Sequence, residues 1–273
     1  MKQSTGIGMG MAVAMLLLSV IMEGGNPASL LNIPALLIVG GGTFGATLSS
    51  TSFALAKTMP KLAILAIKGE EVEPGGIVPM MVRLAEKARR EGVLALEDEL
   101  GQIDDPFTRK GLQLVVDGAD SEIVQAILGA EIDTTSARHK RNAALFQTAG
   151  GFAPTLGILG TVLSLVHVLE NLSTPSTLGH SIAGAFLATL YGVGSANLMF
   201  LPIGNRLKDI SGREVAYREL LLEAILSIQA GDNPRMLEEK LQSFLSPAER
   251  EAAKEAPKAA PAAAADEPVE EAA

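Results

Sequence analysis

No cysteine and no tryptophan occur among the 273 residues, and aromatics supply only 4% of the chain. The lack of cysteine excludes a disulfide framework, a thiolate zinc site, an iron–sulfur cluster and a cysteine nucleophile. Basic charge is also in deficit. The 22 Lys and Arg are outnumbered by 31 Asp and Glu, a formal net charge of −9, so a basic nucleic-acid-binding surface is not expected. Charged residues of both signs make up only 19%, whereas 48% are apolar and the mean hydropathy is +0.30. An isoelectric point near 5.0 and a positive mean hydropathy pull in opposite directions, so apolarity and charge must be segregated along the chain.

Four stretches hold the apolarity: Thr5 to Met22, Leu30 to Leu48, Phe146 to Leu169 and Ile182 to Ile203. None contains Asp, Glu, Lys or Arg, and each is close to the about 20 residues that cross a hydrocarbon core of about 30 Å. The connections MEGGNPAS and ENLSTPSTLGH carry no basic residue, while residues 57–141 carry 12 and the part after Ile203 carries 9. Lys and Arg gather in cytoplasmic loops, so both termini and the long loop are expected in the cytoplasm. The expected fold class is an all-α integral membrane protein with four transmembrane helices and a large helical cytoplasmic domain. Its parts are 1–56 (transmembrane helices 1 and 2), 57–142 (cytoplasmic loop), 143–204 (transmembrane helices 3 and 4), 205–246 (a cytoplasmic C-terminal helix) and 247–273 (a disordered Ala/Pro/Glu tail). A cleaved signal peptide is the alternative for the first stretch, but no A-x-A-like cleavage site follows it.

Within the loop, Pro79–Ala88 and Ile123–Leu128 have helical spacing of apolar residues, the latter after a cap at Asp120-Ser121. Asp104–Pro106 reads as another helix start, and Asn205 to Ile228 as one amphipathic helix. Gly40, Gly42 and Gly45 fit G-x-G-x-x-G, yet they sit inside an apolar span without a βαβ context. Helix packing, including the pair Gly41 and Gly45, is the favoured reading over a dinucleotide site. The histidines, His139, His167 and His180, have no metal-ligand spacing, and no hydrolytic triad is evident, so an enzyme is not expected.

Two patterns remain. Pro154, Gly157, Thr161 and Ser164 share one helix face, as do Gly184, Ala188, Gly192 and Ala196 near Thr189. Close helix packing explains the small residues; alternatively, the Thr161 and Thr189 hydroxyls line a polar path, with Pro154 and Pro202 as hinges that each free a backbone carbonyl. The run ARREGVLALEDE places Arg89 and Glu97 about 80° apart around a single helix. That pattern is either a solvated face or a docking surface.

GFAPTLGILGTVLSLVHVLENLSTPSTLGHSIAGAFLATLYGVGSANLMFLPIGNRLK closely resembles the third and fourth spans of MotA-type flagellar stator subunits, and ARREGVLALEDE resembles that family's charged loop. The resemblance covers most of the chain to about Leu245. It implies that the functional prolines are Pro154 and Pro202, that the pore-lining hydroxyls are Thr161 and Thr189, and that Arg89 and Glu97, assisted by Arg90 and Asp98, meet the rotor protein FliG. It also implies a ring of five copies around two copies of MotB, a single-span peptidoglycan-binding partner, in the bacterial cytoplasmic membrane. An energiser of the ExbB or TolQ type and a non-conducting membrane scaffold are the alternatives. No cofactor is implied, only a transported ion. Ala188 stands where sodium-driven relatives tend to have a second threonine, which favours protons over sodium. The spans contain no carboxylate, so the titratable group that a proton path needs at membrane depth must come from the partner.

Overall fold

The computed structural model describes residues 4–69, 76–171, 175–247 and 250–251, and among these no strand occurs. The tail expected to be disordered lies outside the described residues apart from its first few positions. The chain forms two compact units, one of residues 1–71 and 134–213, the other of residues 72–133 and 214–273.

The first unit holds the apolar helices. Helix α1 (Ser4–Met22) keeps its large apolar side chains exposed, Ile7 and Met22 among them, as a surface that needs hydrocarbon or another apolar partner. Helix α2 (Ile33–Ser49) starts later than the sequence pattern suggests. Asn32 caps it by accepting from the Ala35 amide at 3.0 Å, and Pro34 sits in its first turn. A π-helical segment, Leu37–Gly41, interrupts α2. The described residues contain three helices long and apolar enough to cross a membrane, and α2 is a shorter apolar fourth.

Helix α3 (Met59–Lys68) buries Ala66 against Ala143, Phe146, Ile203 and Leu207. Gly42 of α2 faces Leu156, but Gly41 and Gly45 have open space beside them, so the expected packing of that pair does not occur within this chain.

The second unit has its own core. Helix α4 (Val78–Glu91) contributes Met81, Leu84, Ala85 and Ala88, one stripe at spacings of three and four. After the short helix α5 (Glu97–Leu100), α6 (Pro106–Val116) adds Phe107, Leu112 and Val115. Its cap is the one expected: Asp105 accepts from the Thr108 amide at 2.8 Å, and Pro106 occupies the first helical position.

Helix α7 (Ser121–Glu170) starts right after Asp120 and runs for 50 residues. The sequence expectation of a short helix at 123–128 followed by a separate span is therefore replaced by one rod. Nothing between Gly129 and Leu145 breaks it, since that segment has no proline and only that one glycine. Val124, Leu128 and Ile132, four apart, pack in the second unit, whereas Ala143 and Phe146 pack in the first. Helix α8 is likewise continuous over 175–230, made of Pro175–Ser195, a π-helical segment Ala196–Phe200 and Leu201–Ala230. Its Leu220, Leu221, Ala224, Ile225 and Ile228 complete the second core with α9 (Pro234–Ser243), through Leu237 and Leu241. The domain boundaries expected at 142 and 204 fall inside these two continuous helices.

Candidate functional site

The apolar parts of α7 and α8 run antiparallel in one register. A methyl placed on Gly157 would lie 2.9 Å from the Ala188 carbonyl oxygen, and one on Gly192 would lie 2.6 Å from that of Ala153. The two backbones therefore touch, which only glycine at the crossing allows. Gly184, Ala188, Gly192 and Ala196 are all buried, as the shared-face reading expects.

One turn from that crossing, the Thr161 and Thr189 hydroxyls meet at 2.5 Å. Thr161 Oγ1 also lies 3.0 Å from the carbonyls of Gly157 and Ala185. A hydroxyl has one proton, so when Thr161 donates to a carbonyl its lone pair accepts from Thr189. Thr189 then points its proton at Thr161 and keeps its lone pairs for other donors. The structure thus brings together the two hydroxyls that the resemblance singled out.

Ala188 has a different environment. It is 1% exposed and clusters with Ala35, Val39 and Tyr191, while a methyl on Gly160 would come within 2.8 Å of its Cβ. Tyr191 ties α8 to the start of α2: its hydroxyl donates to the Leu30 carbonyl and accepts from the Asn32 amide at 2.9 Å.

Pro154 lies inside α7 and leaves the Gly150 carbonyl without its usual donor four residues on. The helix nonetheless continues through it. Gly150 sits against Leu201, so Pro154 stands about one turn along from the residue next to Pro202. Pro202 lies two residues past the end of the π-helical segment Ala196–Phe200, where the ladder is already shifted. No Asp, Glu, Lys or Arg lies in the apolar part of either helix.

The charged run is not the single helix assumed from its spacing. Helix α4 ends at Glu91, Gly92 turns the chain with a φ of +88°, and a 3-10 turn at Val93–Leu96 leads into α5. A left-handed φ favours glycine, whose absence of a side chain removes the strain. Arg89 and Arg90 thus end one helix, while Glu97 and Asp98 begin the next, and all four are exposed. Arg90 lies 4.0 Å from Glu86, whereas Arg89, Glu97 and Asp98 form no ion pair among the described residues. Leu96, 0% exposed, anchors the turn from below.

Sequence reasoning missed what ties the two ends together. Glu99 of α5 accepts from Lys87 at 2.8 Å and lies 3.4 Å from Arg83, the two cations being four apart on one face of α4. The hydrogen bond from Lys87 holds the Glu99 carboxyl below the ordinary glutamate range, and the carboxylate holds the Lys87 ammonium above the ordinary lysine range.

The depressed carboxyl contributes stability that is present at neutral pH and lost as pH falls through its folded value. The raised ammonium contributes stability lost only as pH rises past the lysine range. Solvent screening keeps both contributions small. Glu99→Gln is expected to lower the unfolding midpoint slightly at pH 7 and to flatten its acid dependence, measured by thermal denaturation in detergent between pH 3 and 7. An unchanged acid limb would show that the pair does not hold the turn.

The profile of the MotA/TolQ/ExbB proton channel family matches residues 99–220. Motility protein A of Borreliella burgdorferi is 40% identical over 244 residues, covering 89% of this chain and 94% of that protein. The chemotaxis protein PomA of Vibrio alginolyticus is 34% identical, with 83% and 89% covered. Among solved structures, a chain of the flagellar MotAB stator complex from Bacillus subtilis superimposes with a TM-score of 0.85 at 34% identity, covering 92% of this chain and 99% of that one. A chain of MotAB from C. jejuni gives 0.85 at 32% identity, with 90% and 96% covered.

Proposed function

This chain belongs to the MotA/TolQ/ExbB proton channel family, and from that premise we infer that it is the stator subunit of a bacterial flagellar motor. The observation that carries the reading is the half-buried hydroxyl pair Thr161–Thr189, set between the charge-free parts of two helices that cross at Gly157 and Gly192. A hydroxyl pair in hydrocarbon supplies polar oxygen without supplying a charge.

The subunit works with a MotB-like partner that brings the titratable acid to membrane depth. Proton binding neutralises that acid and changes how strongly it is held by the lining around Thr161, Thr189 and the freed carbonyl before Pro154. Five copies surround two partner helices, and ion entry turns the ring about them by successive steps. Each charge crossing 100 mV releases about 2.3 kcal/mol, so a few ions drive one mechanical step. Pro154 and Pro202 soften α7 and α8 at neighbouring levels, which lets the ends of the two helices move against each other.

Torque passes to the rotor protein FliG through Arg89 and Glu97, with Arg90 and Asp98 beside them. Exposed charges of both signs on one turn suit a partner that is engaged and released repeatedly, since they favour orientation and rate over tight holding. The subunit resides in the cytoplasmic membrane with both termini inside, following the placement of Lys and Arg. Protons are the coupling ion, since Ala188 contributes no hydroxyl and the small space beside Gly160 is filled by its methyl group.

The test is a motility assay on a deletion strain with no second stator set, complemented with the wild-type chain, Arg89→Glu or Pro154→Ala. Wild type is expected to restore swimming and both variants to fail, with membrane levels unchanged. Normal swimming of the deletion strain would sink the assignment.

A further inference from the structure

Between Gly24 and Gly69 the chain has three basic residues, Lys57, Lys61 and Lys68, and no acidic one. All three lysines are exposed. Lys61 and Lys68 are seven residues apart on α3, so they stand about 20° from each other around the helix. Neither takes part in an ion pair among the described residues. The same outer face carries Ile64 and Leu65, both exposed, on either side of the two lysines. Just before α3, Lys57 lies over the ring of the exposed Phe53, 4.6 Å from its centre.

Helix α3 sits where the apolar stretches end. Its Ala66 packs with Phe146 and Ile203, the first and last residues of two of those stretches. A methyl on Gly6, near the start of a third, would lie 3.2 Å from Ile67. A helix at that level lies along the boundary between hydrocarbon and headgroups, where apolar side chains dip inward and lysines reach outward.

We propose that the outer face of α3 binds the headgroups of acidic phospholipids. Lys61 and Lys68 meet the phosphates, Ile64 and Leu65 enter the acyl region, and Lys57 supplies a third cation. The rule that Lys and Arg stay in the cytoplasm sets which leaflet these lysines meet. It does not require them to share a face with exposed isoleucine and leucine, as they do on α3. A second copy of the chain is a poor complement for this face. Rotated about the membrane normal, it would present the same level, where residues 138–141 and 206–213 hold six Lys and Arg against one acid, Asp209. That acid already holds Arg206 and Arg213. The negative surface of the cytoplasmic leaflet supplies the missing charge. The inference rests on the membrane residence of the first unit and not on torque generation.

Native mass spectrometry of the complete stator complex, released from nanodiscs of equal phosphatidylglycerol and phosphatidylethanolamine, tests it. The wild-type complex is expected to retain phosphatidylglycerol preferentially. Lys61→Gln with Lys68→Gln should lower that preference by about fivefold per lysine. Lys61→Arg with Lys68→Arg keeps both charges and should keep the preference. Ile64→Glu with Leu65→Glu leaves the lysines in place but opposes the acidic headgroups, and should abolish it. All four side chains are exposed, so these variants leave the packing of Ala66 intact. Equal retention of the two lipids by the wild type would overturn the inference. So would an undiminished preference in the glutamine or the glutamate variant, as when a neighbouring subunit covers this face. Retention of phosphatidylglycerol by a wild-type complex that cannot restore swimming would instead count against the stator assignment alone.

Discussion

Gly192→Val should abolish swimming and detach α8 from α7. Even the Cβ of alanine would lie 2.6 Å from the Ala153 carbonyl oxygen and 2.9 Å from the Gly157 Cα, both backbone atoms that cannot rotate away. The helices must separate, and overpacking of that kind costs about 1–3 kcal/mol, or more when backbone opposes backbone. Separation at this level also pulls the Thr161 and Thr189 hydroxyls apart, because they lie one turn from the crossing. The matched control is Gly194→Ala, two residues on, where nothing lies within 4 Å of the new methyl group. Assembly read by size-exclusion chromatography and swimming read in soft agar should both fail for Gly192→Val and both survive for Gly194→Ala. Normal assembly and swimming of Gly192→Val would mean that the close crossing is not needed.

Thr189→Val separates chemistry from packing. Valine has nearly the shape of threonine, and Thr161 keeps the Gly157 and Ala185 carbonyls at 3.0 Å as partners, so no buried hydroxyl is orphaned. The complex should assemble as the wild type does. Ion flux and rotation should nevertheless drop about tenfold or more, since the lone pairs that Thr189 offers to a passing donor are gone. Thr189→Ser restores the hydroxyl and should restore most of the rotation. Tethered-cell rotation and proton uptake into vesicles supply the readouts. Rotation of Thr189→Val at the wild-type rate would reduce the hydroxyl pair to a helix-packing contact.

Much of this architecture is legible in the order of residues because its causes are local. Charge-free apolar runs must avoid water, and the Asp105–Pro106 pair starts a helix wherever it is placed before helix formers. The stripe Gly184, Ala188, Gly192 and Ala196 announces close packing by its spacing. The charged turn was the less legible part. Spacing alone suggested one helical surface for Arg89 and Glu97, but Gly92 at φ +88° ends α4 and starts a new direction. The ion pair from Lys87 to Glu99 crosses that turn, and no periodic rule couples residues on either side of a chain reversal.

The sequence by itself therefore determined that the protein is helical and suited to a membrane, that Lys and Arg are absent from the apolar stretches and the two short connections between them, and that those stretches hold no carboxylate. These follow from solvation free energies, which act on each segment whatever its neighbours do. Tertiary structure alone decided that Thr161 meets Thr189, that Gly42 rather than Gly41 or Gly45 packs inward, and that Ala188 faces Ala35 and Val39. Each of these depends on the register and rotation of one helix against another, and many registers would bury the same apolar surface. The choice among them is made by short-range contact, here the backbone crossing at Gly157 and Gly192 that no bulkier residue permits.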